Sequence, residues 1–106
     1  MPNLNDRAQR FAIKTPIHYR VIGETGWLEG TIENISRTGV LFLGDHALER
    51  RALIQMCFDL PASMREEGSG QVFCRGCVLR TMPTADPNLT AIAASIQNYR
   101  LVRRAS

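Results

Sequence analysis

The sequence predicts a small all-β protein: six short antiparallel strands closed into a barrel, with a flexible basic leader before it and a short helix after it. Three observations predict it. In the clearest segments apolar and polar residues alternate with a period of two. Gly and Pro turn signals separate those segments. About six of them follow one another at regular spacing along 106 residues, which is room for one domain and one modest core.

Residues 1–14 are polar and basic and read as the leader; residues 15–106 read as the barrel with its helical tail. Residues 16–22 alternate, with Ile17, Tyr19 and Val21 on one side and His18 and Arg20 on the other, the pattern of a half-buried strand. Residues 23–26, with two glycines, supply a turn. Residues 27–35 form the second strand, where an interior Gly30 suggests a bulge or a tight bend. Residues 36–39 are a tight connection into the short apolar strand 40–43, which Gly44 ends. Asp45 can cap a single helical turn over residues 45–50. Residues 53–60 make a strand that Pro61 stops, and residues 64–70 a polar loop. Residues 71–82 are the longest strand, with a bulge expected at Gly76. A loop with two prolines leads to a last strand over 89–96, and residues 98–104 are read as the terminal helix. The aromatics, Tyr19, Trp27 and Phe42 foremost, are assigned to the core.

Composition bounds the function. Hydrophobic residues make up 44% and charged residues 22%, the balance of a globular domain. The net charge of +3 is a mild bias towards anionic partners and not a nucleic-acid signature; aromatics at 7%, placed in the core, leave no stacking platform. No run of about 18 apolar residues occurs, so no membrane span is expected. Residues 1–10 lack the apolar stretch of a signal peptide, and three cysteines do not make a disulfide framework, so a cytoplasmic location is expected.

The chemistry of an enzyme is missing from the pattern. His18 and His46 have no Cys or carboxylate at metal-ligand spacing. Cys74 and Cys77 form a lone Cys-x-x-Cys inside an apolar strand. Cys57 offers it no second half, so buried structural thiols are the reading. No catalysis, metal or cofactor is expected.

Two segments carry chemistry. Asn34-Ile35-Ser36-Arg37-Thr38-Gly39 ends a strand; there Asn and Ser can bond the backbone of a turn, and Gly39 can supply a positive φ or a close approach. The leader holds Arg7, Arg10 and Lys14 just before the first strand. Together they resemble the PilZ family, which pairs an N-terminal Arg-x-x-x-Arg with an Asp/Asn-x-Ser-x-x-Gly some twenty to thirty residues later. The likeness extends over residues 7–102, through the Tyr-bearing first strand, Val40-Leu41-Phe42, Val78-Leu79-Arg80 and residues 94–100.

The resemblance implies a non-enzymatic receptor for the bacterial second messenger cyclic di-GMP that changes conformation on binding and signals to a protein partner. It implies Arg7, Arg10, Lys14, Asn34, Ser36, Arg37 and Gly39 as the ligand-binding residues, and motility, secretion or exopolysaccharide control as the process. A guanidinium can fork onto guanine O6 and N7, stack on the purine or pair with phosphate. An Asn carbonyl can accept from guanine N–H groups, and a Ser hydroxyl can donate to phosphate. One departure stands out: Arg7 and Arg10 are separated by two residues rather than three. Counting back from Arg10, Asp6 holds the first arginine's place, and counting forward the spacing ends in Lys14. The alternative reading is therefore a PilZ-like adaptor that works by protein contact without the nucleotide. A small oligonucleotide-binding barrel is the third.

Overall fold

The structure, a computed structural model, describes residues 10–60 and 69–103. Seven strands are present among them: β1 Phe11–Val21, β2 Leu28–Ile35, β3 Gly39–Gly44, β4 Leu53–Asp59, β5 Ser69–Pro83, β6 Thr90–Ser95 and β7 Gln97–Arg103. Six of them close on themselves in the order β4-β1-β2-β3-β6-β5, with β5 returning to β4, and every pairing is antiparallel. Closure removes the unpaired edges an open sheet would leave.

Two boundaries differ from the sequence reading. Strand β1 begins at Phe11, so the last four residues assigned to the leader are strand; Phe11 and Ala12 pair with Ile35 and Asn34 before a register shift at Ala12/Thr15. The expected C-terminal helix is also corrected: residues 97–103 are β7. The cause is the length of β5. Its fifteen residues outrun β6, which covers only Val78–Pro83, and Ser69–Arg75 would otherwise be a bare edge that β7 fills. Tertiary pairing overrides the weak local preference. Asn98, at φ 49°, sits in β7 where its pairing with β5 shifts register between Phe73 and Arg75.

The inward phase builds the core as alternation demands. Ile17, Tyr19, Ile32, Phe42, Ile54, Met56, Val78 and Ile92 are fully buried, and the Tyr19 and Phe42 rings meet with centroids 4.8 Å apart. Tyr19 requires Gly44, and the Leu43 carbonyl requires Gly30. The two glycines are direct cross-strand partners; a Cβ on Gly44 would strike the Tyr19 hydroxyl and ring, and one on Gly30 would strike the Leu43 backbone carbonyl beside that ring. The aromatic side chain covers the gap the glycines leave. The bulge expected at Gly30 lies instead between Ile32 and Asn34.

Trp27 is not in the core. It precedes β2 and remains 40% exposed, with the Arg20 guanidinium 4.2 Å from its ring centroid. Phe73 and Tyr99 also face outward, Tyr99 at 62% exposure. The helical turn expected at 45–50 does not form: 45–46 is a bend and a reverse turn follows over 49–52, Ala52 N–H donating to the Glu49 carbonyl with Arg51 at φ 75°, while Leu48 packs against the core. No bulge breaks the phase of β5 at Gly76, which stays inward between Cys74 and Val78. The expected loop at 64–70 lies largely outside the described residues.

Residues three apart on a strand point to opposite faces. Accordingly Cys74 is buried while Cys77 is half-buried on the outer phase, and they cannot share one metal; both are free thiols, as is buried Cys57. Burial pushes the Cys74 thiol up to about 12. Cys57 and Tyr19 move the same way, from burial first and then from the Asp59 and Asp45 carboxylates respectively. Each group is neutral when protonated and has its folded pKa above its unfolded one. The stabilisation is therefore full below the unfolded thiol pKa near 9 and is lost as pH rises from there towards 12. Urea denaturation should show a midpoint lower at pH 10.5 than at pH 8; an unchanged midpoint would contradict the burial of these thiols.

Candidate functional site

The β2–β3 turn is built by its own sequence. Ser36 N–H donates to the Gly39 carbonyl at 2.8 Å, leaving Arg37 and Thr38 exposed at the tip. The Ser36 hydroxyl, 8% exposed, accepts from the Thr38 amide at 3.3 Å and donates to the Gly39 carbonyl at 3.4 Å. That last bond is long for O–H···O, so an incoming acceptor can replace it at small cost. Gly39 does not have the positive φ the sequence suggested. It allows a close approach: a Cβ there would lie 3.2 Å from the Ala94 carbonyl and 3.8 Å from Nη2 of Arg10.

The β1–β2 pairing brings the end of the leader to this turn. Because Phe11 pairs with Ile35 and Ala12 with Asn34, Arg10 sits just beyond the turn's first residues. Its Nη1 donates to Asn34 Oδ1 at 2.6 Å. Arg10, Asn34 and Gly39 thus form one cluster, with Ser36 behind it in the turn. Lys14 does not join them; it pairs with Glu33. Arg7 lies outside the described residues. Arg37 and Ser36 border a mainly apolar groove of about 270 Å³ that Phe58, Val72, Tyr99 and Leu101 also line.

Strand register adds a residue that the linear sequence did not assign. Asn34 pairs with Leu41, Leu41 with Ala93, and Ala93 with Arg80. Exposed Arg80 therefore ends the row that Asn34 begins, about 14 Å away across three strand spacings. Between them in the row stand half-buried Leu41 and Ala93. Val78-Leu79-Arg80 was visible as a family-like segment, but only the pairing shows where Arg80 lies. Among the described residues, no group of three or more His, Cys, Asp or Glu could hold a metal ion, and no helix is long and apolar enough to cross a membrane.

A closed six-stranded antiparallel barrel with a polar turn and a leader arginine at one patch defines a small binding module. The chain belongs to the PilZ domain family, whose model matches residues 5–103. That family consists of receptor and adaptor modules of the cyclic di-GMP type. Among solved structures, the fold is similar to Bacillus subtilis Inhibitor of motility (MotI/DgrA), with a TM-score of 0.72 at 12% identity. The likeness covers 89% of this chain and 43% of that one, so this chain spans less than half of that protein. No curated protein matches the chain.

Proposed function

We propose that the chain binds cyclic di-GMP at the β2–β3 turn and passes the signal to a protein partner. The observation that carries this reading is the Arg10–Asn34 contact beside Gly39, which puts a forked cation and a strand-end amide at one patch. Arg10 exchanges its bond to Asn34 for guanine O6 and N7 or for a phosphate, and Asn34 Oδ1 turns to guanine N–H donors. Ser36 and Arg37 serve a phosphate, and Arg80 approaches the ligand from the far end of the row. Exchange of the Arg10–Asn34 bond for the ligand rearranges this patch at the start of β1, the change a partner would read. Motility, secretion or exopolysaccharide synthesis is the process proposed, in a bacterial cytoplasm.

One observation favours the alternative, an adaptor without the nucleotide. Lys14 is the cation spaced four residues after Arg10, and Glu33 already neutralises it. Calorimetric titration decides between them. The receptor reading expects a dissociation constant in the micromolar range or tighter, about 8 kcal/mol. Arg10→Ala should weaken binding by about 1–3 kcal/mol, the worth of a bidentate guanine contact. A flat titration with folded protein at high ligand concentration would establish the adaptor reading instead.

A further inference from the structure

The barrel carries a second groove, of about 610 Å³, spanning β1, β4, β5 and β7. No residue of the β2–β3 turn lines it, although β4, β5 and β7 also line the smaller groove that Ser36 and Arg37 border. Register aligns Arg20 with Gln55, Gln55 with Arg75 and Phe73 with Arg100. The result is three arginines, and two of them lie over rings: Arg20 over Trp27 at 4.2 Å and Arg100 over Phe73 at 5.7 Å. Arg20 is fixed further, its Nε donating to Gln55 Oε1 at 2.8 Å and its Nη1 to the Thr25 carbonyl at 3.3 Å. Among the described residues no acidic side chain lines the groove, and none of their ion pairs involves these arginines. Ile22 and Leu53 stand exposed beside it at 41% and 55%, joined by a hydrogen bond from Ile22 N–H to the Leu53 carbonyl.

We propose that this face docks an acidic segment of a protein partner. The partner's carboxylates take the guanidinium edges of Arg75 and Arg100, and an apolar side chain lies on Ile22 and Leu53. A guanidinium stacked on a ring keeps its N–H edges outward and loses little freedom on pairing with a carboxylate. Arg and Trp in a desolvated patch are also the residues that carry most of the energy of protein interfaces. Single-stranded nucleic acid fits less well, because Arg20 and Arg100 already occupy ring faces on which a base would stack. The proposal rests on the adaptor half of the function proposed above and not on nucleotide binding.

Fluorescence anisotropy of the full chain with a labelled synthetic peptide of alternating Glu and Leu tests it. The peptide should bind, and Arg75→Glu and Arg100→Glu should each weaken binding about tenfold. Arg50→Glu, the same charge change at an exposed turn outside the groove, should leave it within about twofold. Arg75 and Arg100 are exposed, so the variants should retain the wild-type circular dichroism. Equal losses in Arg50→Glu and Arg75→Glu would reduce the effect to net charge and overturn the proposal. Tighter binding of oligothymidylate than of the peptide would overturn it in favour of nucleic acid. A cyclic di-GMP titration alongside separates the two readings. Nucleotide binding without peptide binding removes this docking face alone, whereas peptide binding without nucleotide binding removes the receptor reading alone.

Discussion

Phe42→Ala is expected to lower the unfolding free energy by about 3–5 kcal/mol, the cost of emptying an aromatic site in a closed core. Phe42 is fully buried at the centre of β3. Its register partners are Ile32 on β2 and Ile92 on β6, both fully buried, and its ring meets Tyr19 from β1. One side chain therefore joins four of the six ring strands. A barrel has no edge along which it can collapse, so the void persists and the full cavity cost applies. Domains of this size have roughly 5–15 kcal/mol in total, so the variant would retain only part of its stability. Urea denaturation measures this directly: the midpoint should fall sharply at unchanged slope. Trp27→Ala, although it removes a larger ring, should cost only about 1 kcal/mol, because it breaks a half-exposed cation–π contact and not the core. If the two substitutions were equally damaging, the inside–outside assignment of these aromatics would be wrong.

That contrast also shows what the sequence could reveal. Where alternation is long, phase is legible: Ile17 and Tyr19 point in and His18 and Arg20 out, and the chain folds that way. At the start of β2 the strand begins one residue after the Trp, at Leu28, so an aromatic assigned to the core lies outside over Arg20. The Asn34–Gly39 turn was legible because Ser and Gly act locally, through bonds no more than three residues long. Its contact with Arg10 spans 24 residues and exists only through β1–β2 pairing. Strand β7 was illegible for the same reason. Nothing within residues 97–103 demands a strand; the demand comes from the uncovered half of β5. Arg80 and the Arg20–Arg75–Arg100 face likewise depend on register, which turns distant residues into neighbours.

Gly76→Ala is expected to destabilise the barrel by about 2–3 kcal/mol or more, although it adds a single methyl group. Gly76 sits inward on β5, opposite Ile54 of β4, at the point where the other edge of β5 passes from β6 to β7. A Cβ there would strike the Ser95 carbonyl, a backbone group, and come within 2.7 Å of the Met56 methyl. The methionine end can swing aside, but the carbonyl can move only if β6 lifts from β5. Lifting it would strain the bond from Cys77 N–H to Ser95 Oγ, 3.0 Å long, and loosen the hinge that places β7. Residues 76 and 95 thus form the seam of the closed ring, and one methyl acts on the whole of it. At about 4–8 °C per kcal/mol for a domain of this size, the melting temperature should drop by about 10–20 °C. Gly26→Ala is the control: no atom lies within 4 Å of a Cβ at that position, so its melting temperature should match the wild type. Should Gly76→Ala melt alongside Gly26→Ala, the close approach of β6 to β5 at Ser95 would not exist in solution, and the β6–β7 bend that frames one side of the basic groove would have to be redrawn.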